Sequence, residues 1–241
     1  MHILLIGYGK MGKTIEQIAV SRNHTIVERI DQHNPDLWSG LQSNLVDVAI
    51  EFSQPDAAVA NIRQCLERGI PIVSGTTGWL SQREEIEAFC LKQGGTFFYA
   101  SNFSIGVNLF FRLNEYLAQL ISAYSAYEAS VEETHHTEKK DAPSGTAISI
   151  AEGMLTHLPL KEWFLQTSET TEEKEKLPIR AYREVQVPGT HVVRYQSEED
   201  TIEIKHTAHS RQGFALGAVL VAEWIVQHQK TGVLTMNDFL K

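Results

Sequence analysis

Residues 2–12 read HILLIGYGKMG, a short apolar run that breaks into three glycines. Gly7, Gly9 and Gly12, with Tyr8, Lys10 and Met11 between them, form a GxGxxG pattern between a predicted strand (2–6) and a predicted helix (Lys13–Val20). In a dinucleotide-binding turn the first glycine permits the tight bend, the second lets a pyrophosphate approach, and the third lets helix and strand pack. Backbone N–H groups at the helix N-terminus then receive the phosphates. Glycine turns of this kind also occur without a ligand. Here Asp31 ends the next predicted strand, near the spacing at which a carboxylate accepts hydrogen bonds from the adenosine ribose, so the pair predicts a dinucleotide site.

Working outward, segments 24–30, 46–52, 70–74 and 96–100 are short, rich in β-branched or aromatic residues and bounded by Gly, Pro, Asn or Asp, which predicts strands. Helical patterns lie between them. Asp56–Arg68 follows a Ser53/Pro55 start signal, and Gln82–Lys92 follows Ser81 with Glu84 at capping-box spacing. This alternation predicts an α/β fold, a Rossmann-type doubly wound parallel sheet. After Asn102 the pattern changes: a long amphipathic helix (105–123), a strand in SVEETHH, a helix in SGTAISIAEGML, and strands at His191–Tyr195 and Thr201–His206 of a mostly antiparallel sheet. Ser168–Lys176 is charged and aperiodic and is read as a solvated loop. Gly213–His228 is apolar on nearly every side, which predicts a helix buried against the first sheet. The expected domains are a dinucleotide-binding domain (1–103 and 212–241) and an inserted α+β substrate domain (104–211).

Composition narrows the function classes. The chain has 241 residues and a formal net charge of -9, which disfavours nucleic acid or an anionic membrane as partner. The two cysteines, Cys65 and Cys90, lack CxxC spacing and are expected to be ordinary buried thiols. The N-terminal apolar run is too short for a signal segment, and no run is long enough to span a membrane, so a cytoplasmic location is expected.

The densest chemistry lies in residues 133–147, ETHHTEKKDAPSGTA. His135, His136 and Lys139 offer proton donors and positive charge, and Ser144-Gly145-Thr146 opens a helix whose free N–H groups can hold a carboxylate. The set suits a small anionic substrate undergoing protonation; a polar loop with a capped helix is the plainer alternative. A metal is not expected, because neither HExxH nor another familiar ligand spacing occurs.

The run HHTEKKDAPSGTA resembles the HHxxKxDAPSGTA signature of the dihydrodipicolinate reductases. Further matching blocks are Gly7–Gly12, Phe52–Pro55, Ser74–Trp79, Ala100–Asn108 and His206–Arg211. The resemblance implies a homotetramer of the diaminopimelate and lysine pathway that reduces a cyclic dicarboxylate with NADH or NADPH, the inserted domain carrying tetramerisation. It also implies His135 as proton donor and Lys139 as a second donor that pairs with substrate, with His136, Gly145 and Thr146 on substrate carboxylates. Gly75, Thr76 and Thr77, with Ala100, Ser101, Asn102 and Phe103 at the domain junction, would line the nicotinamide, and Arg211 would serve the hinge or the cofactor side. Two departures stand out: Gln32 and His33 follow Asp31 where some relatives carry an arginine for the 2′-phosphate, and Val185 stands where glycine is frequent. Asp31 would repel that phosphate, with Arg29 and Lys10 the nearest cations, so a preference for NADH is expected. Competing readings are another NAD-dependent enzyme on small dicarboxylates, such as aspartate dehydrogenase, and a dinucleotide sensor without turnover.

Overall fold

The computed structural model describes every residue except 35, 168–172, 174 and 211. Arg211 and most of the charged stretch after Thr167 therefore lie outside the described residues. The chain divides into two compact units, Met1–Ile105 with Gln212–Lys241, and Gly106–Arg211.

The first unit begins with β1 (His2–Ile6), α1 (Lys10–Ser21), β2 (Thr25–Ile30), a single turn α2 (Leu37–Gly40) and β3 (Val48–Glu51). It continues through α3 (Pro55–Glu67), β4 (Ile72–Ser74), α4 (Arg83–Gln93) and β5 (Thr96–Tyr99). The strands pair in parallel, β1 with β2 and β3, β4 with β3 and β5. α1 starts three residues before the expected Lys13, because Gly9 in extended backbone is its N-cap. The Ser81–Glu84 capping box does not form. Leu80–Gln82 make a 3-10 turn instead, and the first turn of α4 relies on Glu84 and Glu85 against the helix dipole. α3 starts on Pro55, whose missing N–H costs nothing in a first turn.

The second unit holds α5 (Ile105–Ile121), whose first residue belongs to the other unit, then β6 (Glu128–His136), α6 (Gly145–Leu155), β7 (Glu162–Leu165), β8 (Lys176–Glu184), β9 (Gly189–Gln196) and β10 (Thr201–Ala208). Its sheet runs β10-β9-β6-β8-β7. The expectation of a mostly antiparallel sheet needs correction: β9 pairs antiparallel with β6 and β10, but β8 pairs parallel with β6 and β7. The connection through α6 carries the chain back along the sheet, which is how parallel neighbours arise. Lys176, read as the end of a loop, is the first residue of β8. One face packs Val131, Ile179, Val193 and Tyr195 against Ala147, Ile150 and Met154 of α6 and Phe110 and Ala118 of α5.

The chain then returns to the first unit through α7 (Gln212–Gln227), β11 (Gly232–Leu234) and α8 (Met236–Phe239). β11 extends the first sheet beside β5, giving the order β11-β5-β4-β3-β1-β2. Both faces are covered, which explains the continuous apolar strands. α1 and α7 cover Ile3, Leu5, Val73 and Phe98; α3 and α4 cover Leu4, Ile6, Ile72 and Phe97, with Cys65 and Cys90 buried as free thiols. Each such fully buried Ile or Phe side chain contributes on the order of 1.5–3 kcal/mol. No helix of the described residues is long and apolar enough to cross a membrane.

Candidate active site

Chain direction around the first sheet reverses between β1 and β3, and ligands of such sheets bind beyond the strand C-termini at that point. A cleft of about 720 Å³ lies there, walled by Gly7, Tyr8, Gly9, Lys13, Asp31 and Ser53 among others. Gly7 has φ +90°, and a Cβ on it would stand 2.0 Å from the Phe52 carbonyl oxygen. A Cβ on Gly12 would meet the Gly7 carbonyl oxygen at 2.2 Å, whereas one on Gly9 would meet nothing within 4 Å. Two glycines thus let backbones touch, and the middle one leaves open space where phosphates fit. Asp31 closes a tight turn, its Oδ1 accepting from the His33 N–H at 2.8 Å while its own N–H donates to Asn34 Oδ1 at 2.7 Å.

Arg29 is not free. Its Nε donates to Glu16 Oε2 at 3.0 Å, its Nη2 to Glu16 Oε1, and the Tyr8 hydroxyl donates to the same carboxylate. Hydrogen bonding to Arg29 holds the Glu16 carboxyl below its ordinary pKa. Lys10 is exposed on the first turn of α1, beside Met11. Lys13, not singled out from the sequence, is in the cleft wall and 5.7 Å from the Tyr8 ring centre.

Glu51, also missed from the sequence, is fully buried at the end of β3. It accepts from the Ser74 hydroxyl at 2.6 Å, the Thr76 hydroxyl at 2.7 Å, the Ser53 N–H at 3.0 Å and the Ser53 hydroxyl. One carboxylate therefore ties the FSQP and SGTTG blocks together. Gly75 permits this closeness, since a Cβ there would lie 2.2 Å from the Phe52 ring. Thr77 and Ser101 are exposed, while Ala100 and Phe103 are buried in the core. Asn102 Oδ1 accepts from the Ser104 N–H at 2.9 Å.

In the second unit, strand pairing builds a cluster of polar side chains. Residues two apart on a strand share a face, so Glu133 and His135 project together. Pairing sets His135 opposite Arg183 of β8 and Glu133 opposite His191 of β9. The buried Glu133 carboxylate receives the Ser144 N–H at 3.1 Å on both oxygens, and the Arg183 Nη1 and Nη2 lie 3.4 Å from its Oε1. His135 Nδ1 lies 3.4 Å and His191 Nε2 3.8 Å from Oε2. The two imidazoles meet edge-on, 5.1 Å between centres. His136, next along the strand and at its end, is half-buried and lies close enough to His135 to act on its charge.

Ser144 caps α6, its hydroxyl accepting from the Ala147 N–H at 3.2 Å. The Gly145 and Thr146 N–H groups, in the first turn, have no intrahelical acceptor and can receive an anion. Lys139 donates to both Asp141 oxygens at 2.8 and 2.7 Å, and Arg183 Nη2 donates to the Asp141 carbonyl at 2.6 Å. Glu133, His135 and His191 bring ligand-type atoms within 4.8 Å of one another, so in composition they could hold a metal. A guanidinium already on that carboxylate opposes a second cation there.

Residues 1–103 match a family model described as dihydrodipicolinate reductase, N-terminus, and residues 106–240 match its C-terminus counterpart. The chain belongs to the dihydrodipicolinate reductase family. It is 49% identical over 243 residues to the 4-hydroxy-tetrahydrodipicolinate reductase of Christiangramia forsetii, covering 100% of this chain and 98% of the relative. The enzyme of the same description from Methanococcoides burtonii is 36% identical over 206 residues, 85% of this chain and 77% of that protein. A dipicolinate-bound dihydrodipicolinate reductase from Paenisporosarcina sp. TG-14 has a TM-score of 0.77 at 20% identity, over 98% of this chain and 97% of that one, a likeness of fold.

Dihydrodipicolinate reductases use a reduced nicotinamide dinucleotide, and the open Gly9 cradle with Asp31 at the cleft edge fits one. In this dihydrodipicolinate reductase the histidines are tuned by their surroundings. Burial lowers the His191 pKa to about 3, helped by His135, His206 and Lys139. His135 is lowered too, first by burial; Glu133 opposes this, while Lys139, Arg183 and His136 reinforce it. Arg183, His191 and Gly189 escaped the sequence reading because nothing local marks them. Only the pairing of β8 and β9 with β6 brings them to the motif.

Proposed function

We infer that the chain is a 4-hydroxy-tetrahydrodipicolinate reductase of lysine biosynthesis, adding hydride and a proton to a cyclic unsaturated dicarboxylate. The observation that carries the reading is the placement, by one continuous motif, of the imidazole of His135 and the open N-terminus of α6 in a single buried cluster joined through Glu133. A reduced nicotinamide dinucleotide supplies the hydride when bound. The chain's own residues bind the phosphates on the Gly7–Gly12 loop, hold the adenosine ribose at Asp31, and place the nicotinamide beside Gly75–Thr77 and Ala100–Phe103. Gly145, Thr146 and Lys139 take one substrate carboxylate, and the second is assigned to His136 at the strand end.

Hydride adds to the carbon of a C=C–C=N system distal to nitrogen, leaving an electron pair that a proton from His135 quenches. General acid help of this kind is worth roughly 10²–10⁴-fold. Lys139 is the second donor. We assign NADH as preferred cofactor and a homotetramer as the working assembly. The test is loss of reduced-nicotinamide absorbance in an assay coupled to dihydrodipicolinate synthase. Turnover there supports the reading. Turnover only with aspartate, or NADH binding without turnover, would favour a dehydrogenase or a sensor.

A further inference from the structure

We propose that Glu133 is a positioning residue that fixes the proton on His135 Nδ1, leaving Nε2 as the nitrogen that exchanges a proton with substrate. The proposal rests on His135 as proton donor. Which ring nitrogen of a histidine carries hydrogen is set by the partner of the other, and the two edges of His135 face different surroundings. Nδ1 is buried, faces Glu133 Oε2 at 3.4 Å, and makes no aligned hydrogen bond among the described residues. Nε2 faces Gly189, where an added Cβ would stand 3.0 Å from Nε2 and 3.2 Å from Cδ2. The missing side chain of Gly189 therefore keeps a gap at the Nε2 edge, while the Nδ1 edge is closed by a carboxylate.

Glu133 is itself held rigidly, by the Ser144 N–H on both oxygens and by Arg183 on Oε1, so Oε2 is the oxygen left for the imidazoles. His191 does not compete as a cation. Burial keeps it neutral, and its Nε2 lies 3.3 Å from the Ser144 hydroxyl. The 3.4 Å approach is an ion-pair contact, not an aligned hydrogen bond, as is common for catalytic pairs that tighten when charge develops. The charged and titratable groups around His135 are Glu133 and His136 on β6, Lys139 beyond it, Arg183 on β8 and His191 on β9. Glu133 alone among these favours the imidazolium. The same carboxylate receives the Ser144 N–H that opens α6, so proton donor and anion-binding helix end are set by one group.

Long-range proton–nitrogen spectra of the whole protein labelled with nitrogen-15 histidine test the proposal, with His135 assigned by its loss in His135→Gln. The neutral ring is expected to carry hydrogen on Nδ1; hydrogen on Nε2 overturns the proposal. In Glu133→Gln, kcat is expected to fall at least about tenfold, with the pH limb of kcat/KM displaced to lower pH and restored by Glu133→Asp. An equal loss at every pH would mean that Glu133 only supports the fold, and would overturn it as well. The tautomer of the unaltered protein decides the matter even if Glu133→Gln does not fold. Retention of turnover by His135→Gln would remove the donor assignment, a different failure from a wrong tautomer.

Discussion

His135 gives up its proton readily in this protein by construction: burial, Lys139, Arg183 and His136 lower its pKa, and only Glu133 pulls the other way. A lowered pKa means that the imidazolium of the free enzyme is already depleted at a pH below the ordinary value of about 6.5. Activity as kcat/KM is therefore expected to decline as pH rises through the neutral range. His135→Gln should remove that limb and cut kcat by about 10²-fold or more while leaving NADH affinity intact; unchanged kcat across pH 6–9 would point to solvent as the proton source. Lys139 poses a different question, since Asp141 already chelates it with both oxygens. Asp141 is largely exposed, so a substrate carboxylate can share or take its place at little cost. Lys139→Ala is expected to weaken pyridine-2,6-dicarboxylate binding by about 10–100-fold, the worth of one charge-assisted hydrogen bond. Calorimetry showing the same affinity in both proteins would end the carboxylate role.

At the scale of elements, the proposed preference for NADH rests on α1, whose Glu16 engages Arg29 from the strand beside it. With that arginine occupied and Asp31 at the cleft edge, NADPH brings a like charge to the site, at a cost of about 1–2 kcal/mol or roughly tenfold in affinity. Glu16→Ala should release Arg29 and raise the NADPH to NADH ratio of kcat/KM several-fold. An unmoved ratio at equal ionic strength would mean that Arg29 does not reach the phosphate. The loop that feeds α1 was legible in the sequence because its requirements are local: three glycines in register between a strand and a helix. The motif HHTEKKDAPSGTA was legible for the same reason. β8 was not. Its nine residues, KLPIRAYRE, mix Pro and four charges into a half-exposed strand whose buried side is marked only by Leu177 and Ile179. The parallel pairings of the second sheet were lost with it, and so was Arg183. His191 lay in a strand that was expected, yet its part in the site depends on a register no periodicity reports. Glu51 was hidden differently, as an acid inside an apolar strand that only its four donors explain.

For the whole molecule, the buried histidines make stability sensitive to acid. His191 has a folded pKa near 3 against an unfolded value of about 6.5, so between these pH values the unfolded chain takes up a proton the folded one refuses. Stability is unaffected above pH 6.5 and falls below it by up to about 1.4 kcal/mol per pH unit for this one group. Thermal melts of the protein are expected to drop between pH 6.5 and 5, and less steeply in His191→Gln; parallel slopes would assign the sensitivity elsewhere. The division of the chain has a separate consequence. The first sheet takes five strands from before Gly106 and its sixth, β11, from after Arg211, and α7 covers one face of it. On the ribosome, the intervening stretch takes about 5–20 s to make, during which Val73 and Phe98 have no α7 to cover them. The nascent chain thus completes its second unit first, as one uninterrupted segment, and the first unit is the last to mature, its sheet waiting on one final strand and a covering helix.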